Sequence, residues 1–514
     1  MKKIANVINF ARSVEPRTDD DGYLLPTLEK ELALCREHGF RSTVLLQYDA
    51  LIRPDYQTLV KRYEEAEPGL WLEVVKPLAE EAEVPFGGRY VWDWTNGVNY
   101  LSQYTEEERR RLLDAAFAGF YRAFGYYPKT VGAWTLDSVS LAYMAERFGL
   151  DAACICRDQY GTDYTTLWGG VYNGGYYPCK NNLLCPAATG GEQINVPVFR
   201  MLGPDPIYQY DMGLGEPERP QGVCTLEPVY AEGGGCETWV RWYLKENYND
   251  KCLSHAYAQF GQENSFGWEE IKQGLPMQLR LLEEAVKQGE IELMTLAESG
   301  RWYREQYQTT APVAMCTDSS WKGDGTKSVW YASRYYRANL LQRDGAVWFR
   351  DIQLFDEAYR SGTAAGTGAM KETGFFNLPL IDGFRFSKDG VRAGLFLKKD
   401  GDILPTETLV SEAVGETQIL AKAGAFGARF TEDAICLTLP EGSVLAFVAA
   451  DVPWLPYREA EEKTLRLSFS AFGSEEYDYA VSLRDGCFRQ KNGAITVVPE
   501  NGRITLEMKR KRTL

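Results

Sequence analysis

From the N-terminus to about residue 310, short apolar runs alternate with amphipathic helical stretches, a rhythm that a parallel α/β architecture buries well. ANVINF (5–10) reads as a first strand, LPTLEKELALCREHG (25–39) as a helix closed by Gly39, and STVLLQYD (42–49) as a second strand. GLWLEVV (69–75) reads as a third. The segment 105–125 is the clearest helix: Thr105 and Glu108 make a capping box, Leu112, Leu113, Ala116, Phe117, Phe120 and Phe124 form one apolar stripe, and Gly125 with Pro128 ends it. TVGAWTLD (130–137) follows as a strand, then a helix and a buried strand over 140–158. Segments 222–230, 252–264 and 291–299 supply the remaining strands. Beyond about residue 345 the pattern changes to short alternating strands, with Asn492-Gly493 and Asn501-Gly502 as hairpin turns. The fold expected is α/β, a (β/α)7-8 TIM-like barrel over 1–345 with long inserted loops at about 76–104 and 159–221. A C-terminal all-β, sandwich-like domain over 346–514 completes it, and the basic tail KRKRTL reads as a solvated end.

Composition narrows the function. Acidic residues outnumber basic ones by 72 to 56, a formal charge of -16, which argues against binding nucleic acid or anionic membranes. No run approaches the roughly 20 apolar residues of a membrane-spanning helix, and MKKIANVINFARS reads as a strand and not a signal peptide. Eleven cysteines without a CxxC pair make a disulfide framework an unexpected choice and place the chain in a reducing cytoplasm. Only His38 and His255 occur, which removes most histidine-based zinc sites and Ser-His-Asp triads. Carboxylates must then carry the acid-base chemistry; no cofactor and no catalytic transition metal are expected, an oxygen-ligated Ca²⁺ and homo-oligomerisation being left open.

In a parallel barrel the reactive groups sit where strands end. Those positions carry Arg12, Glu15 and Arg17, then Asp49, Glu73, Asp137, Arg157 with Asp158, and finally Glu227, Glu263 and Glu298. Two facing carboxylates are the usual minimum for cleaving a glycosidic bond. Aromatic residues crowd the same loops: Trp92, Asp93 and Trp94 in one, Asp158, Tyr160, Asp163 and Trp168 in another, with Trp134 between them. Flat rings flanked by hydrogen-bonding groups suit sugars, whose faces are apolar and whose edges are polar. The same loops read equally as aromatic plugs, and Glu15-Pro16-Arg17 equally as a salt-bridged strand end.

The order of segments over roughly residues 4–330 resembles the polysaccharide deacetylase and family-57/38 glycoside hydrolase superfamily of (β/α)7-type barrels. The helix 105–125 followed by GYYPKTVGAWTLDSVSLAYMAERFGL is similar to the deacetylase helix, P-K turn, strand and helix. GAWTLD places Asp137 where the family-57 hydrolases carry the Glu of G-x-W-x-P-E, and GQENSFGWEE (261–270) is similar to their later acidic strand end, with Gly261 where an Asp is expected. Segment 295–321 is similar to their last barrel strand and its loop. The family's metal-binding histidines are absent, with Arg12 and Thr95-Asn96 nearby instead. The resemblance also extends to inverting exo-sialidases, and Arg12, Arg17 and Arg157 suit a substrate carboxylate.

The resemblance thus implies a glycoside hydrolase that removes a terminal sugar from a glycan or oligosaccharide, an acidic sugar such as sialic or uronic acid being one candidate. Asp137 and Glu263 are the expected catalytic pair and Glu15 the substitute. Arg12, Arg17, Glu73, Asp93, Trp94, Trp134, Asp158, Tyr160, Trp168 and Glu298 are expected to bind substrate. A metal-independent deacetylase and a non-catalytic glycan-binding barrel are the alternatives.

Overall fold

The computed structural model describes residues 1–94, 97–162, 165–214, 222–365, 377–453, 455–469 and 477–510; Thr95, Asn96 and Asp163 lie outside them. Five parallel strands, β1 (Lys2–Ala11), β2 (Ser42–Leu46), β3 (Ala66–Trp71), β4 (Thr130–Ala133) and β5 (Ala152–Ile155), lie side by side in chain order. His255–Phe260 extends the sheet beyond β1 and Val198–Arg200 beyond β5, both parallel, and Gly175–Tyr176 ends it antiparallel. These strands are apolar on both faces because helices cover one and packed side chains the other; β2 is buried at every position.

Among the described residues the sheet does not close by backbone pairing. Side chains span its two edges instead: Leu202 N donates to Gln259 Oε1 at 2.9 Å, Asn173 Nδ2 to the Tyr257 carbonyl at 2.9 Å, and Gly175 N to His255 Nε2 at 2.9 Å. The expected barrel is therefore an open, half-barrel version of itself. The helix Glu106–Phe124 has its capping box, with Gly125 left-handed at φ 82°.

Segment 222–230 forms turns and not the strand expected of it. Pro228 has no N–H to offer a ladder, and a glycine run folds back tightly on this segment: a Cβ at Gly234 would lie 2.2 Å from the Leu226 carbonyl oxygen. Its backbone is held locally, Leu226 N by the Leu202 carbonyl at 2.9 Å and Gly234 N by the Thr225 carbonyl at 2.7 Å. Segment 291–299 likewise yields only the two-residue strand Glu292–Leu293 before the helix Leu296–Gln306 begins.

Two antiparallel sheets make up the rest, and their facing residues share one core, with Leu340, Phe349 and Leu397 of the first packed in the same cluster as Ile419, Phe430 and Leu467 of the second. Asn492 and Gly493, at φ 50° and 79°, join the strands Cys487–Lys491 and Ala494–Val498 in the hairpin their sequence announces. The first of these sheets already begins at Val313–Thr317, upstream of residue 345. Those early strands are almost wholly buried, so the alternation that marks an antiparallel strand is lost from their sequence. They press on the half-barrel: Trp330 stacks on Tyr172 at 4.1 Å, and its Nε1 donates to the Pro206 carbonyl at 2.9 Å.

Candidate active site

The ends of β1 and β3 and the segments after β4, β5 and His255–Phe260 converge on one cleft. Trp92, Trp94 and Trp134 line it as flat faces, and Glu73, Glu227 and Glu263 bring three carboxyl groups to it. Arg157, Gln159 and Tyr230 complete the polar part of its wall. Together they enclose about 530 Å³, open mouth included.

Arg12, the first residue after β1, organises the floor. Its Nη1 donates to Glu263 Oε2 at 2.8 Å and to Ser265 Oγ at 3.2 Å, its Nη2 donates to Glu73 Oε2 at 3.1 Å, and its guanidinium lies 3.9 Å over the Trp92 ring. Burial works against the Arg12 charge, but Glu263, Glu73 and Glu15 outweigh it and hold the guanidinium above its ordinary value. Glu73 Oε2 also accepts from Gln47 at 2.7 Å and Trp71 at 2.9 Å, and Oε1 from Asn99 at 3.2 Å. Burial pushes the Glu73 carboxyl up and the Glu263 charge adds to this, while the Arg12 charge and the Trp71 N–H oppose it; its donors fix its position in the cleft.

Glu227 differs. Burial pushes its carboxyl up to about 7, the Glu263 charge adds to this, and the Arg157 charge and the Thr225 hydroxyl oppose it. Thr225 Oγ1 donates to its Oε2 at 3.0 Å. The cleft thus holds one carboxyl poised to be protonated near neutrality and another, Glu263, tied into an ion pair with Arg12. A carboxyl raised by burial beside a second one held by an arginine is an arrangement open to acid–base chemistry. Glu227 was visible in the sequence only as one strand-end carboxylate among many.

The other expected site residues divide by location. Glu263, Arg12, Glu73, Trp94 and Trp134 belong to the cleft. Glu15 is almost fully buried beside it and is held by Arg17 through two bonds, Nε to Oε1 at 2.7 Å and Nη2 to Oε2 at 2.6 Å, which makes the pair a salt-bridged strand end. Asp93 braces the tryptophan loop by accepting from Arg89 N at 2.7 Å.

Asp137, expected as a catalytic carboxylate, is a helix cap: fully buried, it accepts from Ser140 N at 2.8 Å and Ser140 Oγ at 2.7 Å at the start of Ser138–Phe148, and pairs with Arg109 at 2.8 Å. It does not line the cleft. Glu298 sits at the opposite pole of the sheet, where it caps Leu296–Gln306 with Thr295 and pairs with Arg41, the residue that precedes β2. Asp158, Tyr160 and Trp168 form the seam with the antiparallel sheets: Asp158 joins Arg200 and Arg337, Tyr160 and Trp168 pack on Phe384, and Trp168 Nε1 donates to Asp382 at 2.9 Å. A carboxylate just after a strand is also in position to cap the next helix or to anchor a neighbouring domain, so sequence position alone does not separate these roles.

The residues present do not fit the Asp-His-His metal set of the deacetylases. His255 is buried at the start of its strand, where burial drives its ring down to about 3, and His38 pairs with Glu283 near the surface. Among the described residues no three His, Cys, Asp or Glu side chains are grouped to hold a metal ion.

The half-barrel followed by antiparallel sheets is a fold shared with a solved structure. A proposed glycoside hydrolase/deacetylase from Parabacteroides distasonis matches with a TM-score of 0.53 at 14% identity, covering 69% of this chain and 85% of that one. Weaker matches include a proposed polysaccharide deacetylase from Mycobacterium smegmatis, with a TM-score of 0.35 at 13% identity over 59% of this chain and 91% of that one. A 4-alpha-glucanotransferase from Thermococcus litoralis gives 0.32 at 10% identity over 99% and 97%. No family model and no curated protein matches the sequence. The fold rests on the first of these structures, and the site on the geometry above.

Proposed function

We propose that this chain is a carbohydrate-active enzyme and, within that class, a glycoside hydrolase that removes a terminal sugar. The observation that carries the reading is the pairing of Glu227, raised to about 7 by burial, with Glu263 in a single tryptophan-lined cleft. Glu227 gives its proton to the glycosidic oxygen as the bond to the anomeric carbon breaks, and the aglycone leaves as a neutral alcohol. Glu263 supplies the electron pair on the other side, by attacking the anomeric carbon or by taking a proton from the water that attacks it. Glu73, fixed by its donors, stabilises the positive charge that builds on the sugar ring.

Trp134 is held edge-on by Phe10 at 5.7 Å and Trp71 at 5.2 Å, a rigid mounting for a ring that stacks on a sugar. All eleven cysteines are free thiols, which supports a reducing compartment such as the cytoplasm as the place of action. The test is mass spectrometry of products from a mixed glycan panel, with wild type beside Glu227→Gln. Loss of a whole sugar by wild type only supports the reading; loss of an acetyl group alone moves the chain to deacetylation, and equal products from the variant remove Glu227 from the mechanism.

A further inference from the structure

Five arginines stand among the largest fully buried side chains: Arg12, Arg109, Arg157, Arg200 and Arg337. Four of them are neutralised by carboxylates, Arg12 by Glu73 and Glu263, Arg109 by Asp137, Arg200 by Asp158, and Arg337 by Asp158 and Asp351. Arg157 is different. Among the described residues it forms no ion pair; its Nη1 donates to the Asp158 backbone carbonyl, and its Nε is buried with no acceptor. It lines the cleft together with Glu227 and Gln159, and its charge acts on the Glu227 carboxyl.

A guanidinium removed from water needs an anionic partner, because burial strips its hydration and leaves the charge uncompensated. Arg12 and Arg17, the other cations near this mouth among the described residues, are already occupied by Glu73, Glu263 and Glu15. The cleft also carries three carboxyl groups of its own, so a doubly charged phosphate or sulfate ester would meet more repulsion there than a singly charged group. A planar carboxylate matches the fork of a guanidinium.

We propose that Arg157 binds a carboxylate on the substrate, so that the sugar seated in this cleft is a sugar acid, of the uronic or the sialic class. The turnover part of this rests on the hydrolase reading above; the binding part does not. Gln159 adds a neutral hydrogen-bonding group to the same wall, and the tryptophans supply the stacking face.

The experiment is a titration of wild type, Arg157→Gln and Arg157→Lys with free glucuronic acid, N-acetylneuraminic acid and glucose, read by quenching of cleft tryptophan fluorescence. It is paired with release of 4-methylumbelliferone from the α- and β-glucuronide, the sialoside and the matching glucosides. One acid should bind about 10- to 100-fold tighter than glucose, as a charge-assisted pair predicts, and Arg157→Gln should bring the two to near parity while Arg157→Lys keeps part of the preference. Which acid wins decides between the two classes. Equal binding of acid and glucose, or binding of neither at millimolar concentration, overturns the proposal even if neutral glycosides are cleaved. Preferential binding of an acid with no glycoside cleaved sustains it and overturns the hydrolase reading instead. If Arg157→Gln fails to fold, the wild-type preference alone decides.

Discussion

The half-barrel carries two buried charge clusters that look alike in composition and differ in completeness. At the seam, Asp158 accepts from Arg200 at 2.9 Å, Arg337 at 2.7 Å, Tyr210 at 2.8 Å and Gly169 N at 2.9 Å; burial opposes its charge, but Arg337 and Arg200 outweigh it and hold the carboxyl below its ordinary range. At the cleft, Glu73 has a similar set of donors, yet Glu227 is raised to about 7, and Arg157, whose charge acts on Glu227, forms no ion pair among the described residues. A closed cluster is a joint, since every charge in it is answered by the fold itself. An open one keeps charges that the fold answers only in part and leaves room for a ligand to complete, a feature common at functional sites.

The comparison is most exposed to failure in kinetics. Glu227→Gln should lower sugar release by about 10²- to 10⁴-fold, the usual worth of a positioned general acid, measured as product per minute at pH 6 with binding retained. Wild-type activity should fall as pH rises through about 7, because the acid is then deprotonated.

The seam should answer in stability instead. Asp158→Ala leaves Arg200 buried without its carboxylate and Arg337 with Asp351 alone, and should cost about 3–5 kcal/mol in denaturant unfolding, with the pH profile of the remaining activity unchanged. A shifted profile at full stability would make the seam part of the site.

Glu227 should also show the cost of its burial. Its folded value lies above that of the unfolded chain, so the stability it gives is full at low pH and declines as pH rises from about 4.3 to about 7. Glu227→Gln should therefore be more stable than wild type at pH 8 by about 1–3 kcal/mol, with the difference vanishing near pH 4; thermal melts at the two pH values read it. The smallest effect belongs to the opposite pole, where Glu298→Ala loses a capping box and a partly exposed ion pair, worth about 0.5–1 kcal/mol, with unchanged turnover.

Local signals were legible where the chemistry is local. The Thr105–Glu108 box, the left-handed Gly125 and the Asn492-Gly493 turn depend on residues within a few positions of one another, and the parallel α/β order follows from apolar runs buried on both faces. Glu263 and the cleft tryptophans were legible too, as polar and aromatic residues after strands. Asp137 and Glu298 share that placement but spend their oxygens on helix N-termini. Asp158 is a joint only because Arg200 and Arg337 reach it from 42 and 179 residues away. Glu227 sits in a turn-rich stretch with no period, and its raised value comes from burial that no nearby residue announces. What distance in sequence separates, composition cannot rank.

The chemistry proposed for the unsaturated cluster is tested most directly by the pH dependence of sugar release by wild type, Glu227→Gln and Asp137→Asn on one responsive glycan. The expected result is a wild-type profile that falls through pH 7, near-complete loss in Glu227→Gln, and a wild-type profile per folded molecule in Asp137→Asn. Full activity in Glu227→Gln, with activity abolished in a folded Asp137→Asn, would contradict it and return the chemistry to the helix cap.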